Sequence, residues 1–475
     1  MNTSRLDVIL RKGVLLFAGI LASGSVLAAT PVAPLAPTST KCRSELSPEA
    51  LDRTAGRGSE VPPVAEIGSP QDPNQVLQSV ARQALNQSAA VGASRWLADA
   101  ASFDLEQTEA GRWPSVVASA SRGPQQTSLN GERTSGGSAA VLSLAAGGSI
   151  YDGGRLRDQI QWRKDLLRAE QLGLQQAGEA VVSEAVSTVL ERARYQMQAQ
   201  VYQQYVRKMS CLVDALESIV SADRGRASEL VQARKTLGQA ELSRDIAVSV
   251  GRQIDHKLRK LLGESYVVQG NFTSLLSTPP DLGEMLRLMD QAADLQQAKA
   301  QADAAESYAR ALKSGKGPQL GWSASRTQTR LSGDNIGSWQ ATVSLSMNLF
   351  DGGAERAAIQ SALARSESSR QQVLELQAAR TERVNTLHDA STTAFRHAKR
   401  YVDILRDSEL VRSYTFQQWS QLGRRSLFDL MSAESDHFNV RVSYVNSLFD
   451  GYEANAQLRS LAGGIKPWIL GNDQP

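Results

Sequence analysis

SLAAGGSIYDGGRLR (143–157) and SLSMNLFDGGAER (344–356) are two renderings of one phrase. Each is an alternating run, an aromatic residue, Asp-Gly-Gly, and then a charged helical pattern. Asp152 and Asp351 stand 199 residues apart, and the surroundings repeat with them. Pro114 and Pro318 each open a second alternating run upstream. Glu229 and Asp429 lie 77 and 78 residues downstream of the two aspartates, each in a short break in a helical pattern. Internal duplication on this scale sets the architecture before any single residue does.

Around the phrase, alternation and then helical periodicity take over. From 339 to 349, Trp339, Ala341, Val343, Leu345, Met347 and Leu349 share one face, and Gln340, Thr342, Ser344, Ser346 and Asn348 the other. Taken alone, this describes a half-buried strand of a soluble sheet. The two-strand unit occurs twice, however, flanked by helices and joined by the polar, Gly-rich loops 126–137 and 331–337. That combination fits barrel hairpins with apolar faces outward and polar faces inward. Four strands cannot close a membrane barrel, whose smallest examples have about eight; three copies of the chain would supply twelve.

Asp152, Gly153 and Gly154, and likewise Asp351, Gly352 and Gly353, mark the change from strand to helix. Aspartate caps a helix and the glycines permit the sharp turn; no nucleotide-binding glycine pattern accompanies them. The helical patterns that follow run from about 155 to 221 and 354 to 421, and about 65 residues make a rod of roughly 100 Å. Apolar residues at spacings of three and four, with small residues between, indicate close antiparallel coiled packing. Each rod breaks, at 222–226 and 422–425, and returns to end near Gly263 and Gly463. Helical patterns over 74–110 and 282–312 precede the strands.

At the N-terminus, Arg5, Arg11 and Lys12 precede a short apolar stretch that ends in small residues, a secretory signal cut after Ala28. No later segment resembles an 18-residue apolar span, so a membrane crossing must use a closed barrel. The 52 basic and 49 acidic residues are interspersed, which gives no nucleic-acid face. Of two cysteines, Cys42 lacks the lipoprotein cleavage pattern and Cys211 lies in a rod; an oxidising compartment permits a bridge, but the spacing reads as two independent thiols. The four histidines have no ligand spacing and no nucleophile constellation appears, which points away from an enzyme, a metal or any other cofactor.

Strand, Asp-Gly-Gly, long helix, Gly/Arg break and returning helix, duplicated behind a signal peptide, resembles the TolC family of outer-membrane efflux and secretion proteins. The match runs from about Gln71 to Gly463. Its best motif is LGRRSLFDLMSAE (422–434), with RASELVQAR (226–234) as partner in the first repeat. The resemblance implies an α+β membrane protein: a trimeric, twelve-stranded outer-membrane barrel continued by a periplasmic coiled-coil barrel, with two repeats per chain. The pattern limits are 1–28 signal, 29–72 poorly ordered arm, 73–264 first repeat, 281–463 second repeat and 464–475 tail.

By motif position, Asp429 matches the aspartate that family members project into the periplasmic entrance, giving three carboxylates that attract cations and raise one another's pKa. Ser432 stands where the best-known members carry a second aspartate. Arg425 matches the arginine that links to the neighbouring hairpin, with Ser228 and Glu229 at the acceptor positions. The resemblance further implies a homotrimer in outer-membrane lipid, a periplasmic adaptor (membrane fusion protein), and an inner-membrane ABC transporter or proton-driven pump. Many pump-dedicated members are lipoproteins, so the absent lipid-anchor cysteine favours type I secretion of a polypeptide over small-molecule efflux. The rival of another class is a periplasmic coiled-coil adaptor, which lacks duplicated strand pairs.

Overall fold

The computed structural model describes residues 72–130, 132–264, 272–331, 334–420 and 424–471. The signal segment, Cys42, the arm as far as residue 71, residues 421–423 of the second hairpin motif and the last four residues of the tail lie outside them. Among the described residues, no helix is long and apolar enough to cross a membrane.

The described residues open with α1 (Pro73–Gln87), which has proline in its first turn and the Asp72 carboxylate accepting from the Asn74 N–H at 3.0 Å. The single helical pattern expected over 74–110 is two helices, because the Ser88 hydroxyl caps a new start, α2 (Ala89–Ala110), through the Val91 N–H. Strands β1 (Ser115–Leu129) and β2 (Glu132–Tyr151) follow, then α3 (Arg155–Ala222), a 3₁₀ turn (Arg224–Arg226) and α4 (Ala227–Leu262). The second half repeats this order. Helices α5 (Leu282–Met289) and α6 (Ala293–Ser314) replace the one segment expected from 282 to 312. Strands β3 (Gln319–Leu331) and β4 (Asp334–Ser346) lead to α7 (Ala354–Ser420), α8 (Leu427–Leu461) and short α9 (Ile465–Leu470).

The strands form one antiparallel sheet in the order β1-β2-β3-β4. Its register puts Val116, Ala146, Ala324 and Ala341 in one row, and Ala118, Leu144, Arg326 and Trp339 in the next row towards the hairpin ends. These residues share a face with Trp322, Val343, Leu142 and Leu345. The opposite face carries Ser119, Ser143, Thr327 and Ser338. On β2 and β3 this polar face is the more sheltered, so the sheet curves with its apolar face convex. β4 ends at Ser346, short of the alternation that runs to 349; Met347, Leu349 and Phe350 continue as exposed, non-strand residues.

At 68 and 67 residues, α3 and α7 are about 100 Å long. Each pairs with its return helix, and the two hairpins touch through α3 and α8. Buried Ala233, Ala240, Ala247 and Ile254 fall seven apart on α4, a heptad seam whose small side chains let α3 approach closely. The main core follows α1, α3, α4 and α8 through Val182, Val186, Met209, Leu216, Leu430 and Phe449. Near the other end, buried Asn455 holds the segment after α4 by donating to the Leu276 and Thr278 carbonyls and accepting from Ser391. Cys211, read from sequence as an inert thiol, is disulfide-bonded.

Candidate functional site

The two Asp-Gly-Gly turns have one geometry. Asp152 accepts from the Gly154 and Leu156 N–H groups at 3.0 and 2.8 Å, and Asp351 from those of Gly353 and Glu355 at 2.9 and 2.6 Å. Each carboxylate thus occupies the free donors that open a helix, three residues before the helix begins. Gly153 and Gly352 both have φ of 68° and Gly154 and Gly353 have 87° and 91°, where a side chain is strained. A Cβ on Gly153 would also stand 3.1 Å from the Ser314 carbonyl oxygen, whereas one on Gly352 would meet nothing within 4 Å.

At the far ends of the hairpins, the two halves part company. The first break is closed by Asp223, which accepts from the Gly225 N–H at 2.9 Å, and by Arg226, which donates to Glu229 at 2.8 and 3.1 Å. Ser228 is exposed. The second return helix opens with a reciprocal cap: Ser426 Oγ accepts from the Asp429 N–H, and Asp429 accepts from the Ser426 N–H, both at 3.1 Å. Asp429 also accepts from the Ser426 hydroxyl at 3.0 Å. These bonds, and then the charge of Arg425, hold its carboxyl below the usual range. Within one chain the carboxylate is therefore pulled opposite to the rise expected of a ring. Arg425 donates to Gln418 at 3.1 Å, and Ser432 is exposed. Among the described residues, neither Arg425 nor Asp429 touches Ser228 or Glu229.

A second polar cluster lies where α3, α7 and α8 meet. Glu434, 2% exposed, receives Lys208 of α3 at 3.0 Å on one oxygen and Arg412 of α7 at 3.4 Å on the other. Arg412 also pairs with Glu409, which stands 3.5 Å from His437. The other ring nitrogen of His437 bonds Ser408 at 2.8 Å. Tyr205 stacks on Phe438 at 4.7 Å beneath them, and Arg441 lies over the same ring. Burial pulls the Lys208 pKa down against the attraction of Glu434. It also drags His437 to about 3, helped by the positive charges of Arg412, Arg441 and Lys208, so the ring is neutral. For Arg412, the two glutamates outweigh burial and hold the proton more firmly than usual.

This cluster escaped the sequence reading, although a signal was present. Leu430, Glu434, His437 and Arg441 recur at the spacing of a buried helical face, so charged residues occupy positions where Leu or Ala would be expected. On a lone helix such residues read as solvated.

Residues 287–464 match the family described as outer membrane efflux protein. No curated protein sequence matches the chain. Among solved structures, the chain is similar to the outer membrane protein VceC of Vibrio cholerae (17% identity, TM-score 0.72, covering 82% of this chain and 96% of that one). It is also similar to the CmeC outer membrane channel of Campylobacter jejuni (15%, TM-score 0.73, 82% and 86%). A third is the MtrE outer membrane channel of Neisseria gonorrhoeae in its open state (15%, TM-score 0.69, 84% and 91%). At such identities the likeness is one of fold.

Proposed function

Because residues 287–464 match the family described as outer membrane efflux protein and the chain carries a TolC-like fold, we propose that three copies form the exit duct of a tripartite exporter. The chain resides in the outer membrane and extends into the periplasm. The observation that carries the proposal is the sheet. It has an apolar convex face, a polar concave face and two open edges, β1 and β4. Four strands are too few to close and an open edge in lipid is intolerable, so neighbouring copies must pair β4 with β1. Twelve strands and a ring of six hairpins follow by three-fold symmetry. An adaptor carrying no strand pairs would have no use for this sheet.

The duct performs no chemistry in this reading; an inner-membrane transporter, joined by a periplasmic adaptor, supplies the energy. The cargo assigned first is a polypeptide exported by type I secretion, on the ground that Cys42 does not read as a lipid anchor. Small-molecule efflux is the second reading, favoured by the description of the matching family. Deletion of the gene, followed by secretome analysis and drug-susceptibility testing, separates them. Loss of one large secreted protein with unchanged susceptibility is expected; the reverse pattern replaces the cargo. Carbonate extraction tests the duct itself, since a barrel stays in the membrane and a soluble adaptor leaves it.

At the periplasmic end, the residues assigned to the gate are Arg425, Asp429 and Ser432, with Ser228 and Glu229 across from them. Three Asp429 carboxylates around the axis would favour cations. Asp429→Ala should reduce cation selectivity in single-channel recordings, and an unchanged reversal potential would remove Asp429 from this role.

A further inference from the structure

On the upper part of the convex sheet face stand three arginines, two at the top of its apolar belt and one within it. Arg122 on β1 and Arg330 on β3 flank Ala140 of β2 in one row of the register, and Arg326 lies two rows closer to the helices, beside Trp339. All three are exposed. Arg122 donates to the Ser138 hydroxyl at 3.4 Å, and among the described residues none of the three pairs with a carboxylate. Between Arg122 and Arg330 lies a shallow groove of about 650 Å³, with Ala140, Leu142, Gln328 and Asn335 in its lining.

The height of this group is informative. Ten residues of β4 separate Leu345 from Asn335, the latter in the Arg330 row. At about 3.4 Å per residue and a tilt of about 40°, that is about 26 Å of height, the depth of the apolar band of an outer-membrane barrel. The row lies at the hairpin end, remote from the periplasmic helices. On the barrel reading proposed above, on which this inference rests, the Arg122 and Arg330 guanidiniums therefore meet lipid headgroups at the outer rim, and Arg326, about 10 Å lower, reaches up towards them along its aliphatic stem. We propose that Arg122, Arg326 and Arg330 form a docking site for a multiply phosphorylated glycolipid of the outer leaflet. Guanidinium matches phosphate oxygens two at a time. Arg122 and Arg330 are two strand spacings apart, about 9.6 Å, and Arg326 is about 13 Å along the strand from Arg330. That spread suits a headgroup bearing more than one phosphate. A glycerophospholipid with a single phosphate, such as phosphatidylglycerol, would leave the other arginines unmatched. The groove admits the sugar between them, and the acyl chains would lie down the face past Leu142 and then the row of Leu144 and Trp339.

The test uses the purified full-length protein titrated with fluorescent diphosphoryl lipid A, with dephosphorylated lipid A and phosphatidylglycerol as parallel arms. Wild type should bind the diphosphoryl form, and R122Q/R330Q should weaken it about tenfold or more. R122K/R330K, which keeps the charge and loses the fork, should fall between them. Equal affinity in wild type and R122Q/R330Q, or phosphatidylglycerol bound as well as diphosphoryl lipid A, would overturn the site. Carbonate resistance of the same proteins keeps the two ideas apart. A wild type that extracts sinks the barrel and this site together; one that stays in the membrane but ignores phosphate sinks the site alone.

Discussion

Glu434 is the residue whose replacement should be felt most strongly outside the apolar core. In Glu434→Gln the shape is kept and the charge removed, so Lys208 loses the carboxylate 3.0 Å from its ammonium while remaining 10% exposed. Arg412 retains Glu409. Two routes then limit the loss. If Lys208 stays charged, breaking a buried pair costs about 3–5 kcal/mol. If it sheds its proton at pH 7.5, release from an ordinary pKa of about 10.4 costs about 4 kcal/mol. The routes agree, and the second makes the penalty shrink by about 1.4 kcal/mol per pH unit above 7.5. Over a cooperative unit of about 400 residues, with about 2.1 cal/mol/K of unfolding entropy each, 4 kcal/mol lowers Tm by about 5 °C. Helical circular dichroism of the purified protein in detergent reads this directly. Adding Lys208→Met should restore most of the lost Tm, because the one unmatched charge is then gone. An E434Q melt within about 1 °C of wild type, or a double variant below the single one, would refute the reasoning.

His437 should make the hairpins acid-sensitive. Its folded pKa of about 3 lies below the ordinary value of 6.5, so the folded protein holds the ring neutral while a loosened chain takes up a proton. The stabilising contribution is complete above about 6.5 and declines by about 1.4 kcal/mol per unit as the pH falls towards 3, reaching about 2 kcal/mol lost at pH 5. His437→Gln should flatten that part of the Tm-against-pH curve, and parallel curves would exclude the histidine as its source. At the turns, Gly153→Ala and Gly352→Ala meet the same φ of 68° but different surroundings. Both should lose about 1–2 kcal/mol to left-handed strain. Gly153→Ala should lose more through the Ser314 carbonyl, so equal melts would deny that contact a part.

Most of the skeleton is legible in the residues because it is written in local rules. Asp-Gly-Gly marks both strand-to-helix turns, alternation assigns the two faces of the sheet, and the rod limits fall within a residue or two of α3 and α7. The breaks at Ser88 and at Asp290–Ala292 were not legible, since neither contains glycine or proline and a serine inside a helical pattern reads as a surface position. The candidate site divides in the same way. Asp429 and Glu229 fall at hairpin ends as their motif positions imply, but their bonds are local, to Ser426 and Arg226. The Lys208–Glu434–Arg412 cluster was hidden because its burial depends on α3 meeting α8, a contact between residues more than two hundred positions apart. Periodicity within α8 places Glu434 and His437 on its buried face, but it does not say which distant helix covers them.

The buried cluster also says why the two halves cannot be interchangeable. In a three-fold tube of six hairpins, as proposed above, each hairpin meets one neighbour within its own chain and one from the next copy. Those seams need different chemistry, or the hairpins could assemble in the wrong order. The first-half counterpart of Glu434 is Arg234, which makes an exposed pair with Glu217 across its own hairpin at 2.6 Å, with side-chain exposures of 59% and 48%. In the second half that position is acidic, 2% exposed, and reaches across to the other hairpin. Meanwhile Val231, Leu242 and Ile246 on α4, and Leu410, Val411 and Tyr414 on α7, lie exposed in the single chain. The seam within a chain therefore carries a buried ionic cluster set into its apolar core, whereas the faces left for the next copy are apolar. Ion pairing is specific in its partner and answers to pH, while apolar burial is neither, so acid or E434Q should loosen the first seam and spare the second. The variant should accordingly melt early yet remain a trimer by native mass measurement; dissociation into single chains at neutral pH would mean that the cluster serves the seam between copies instead.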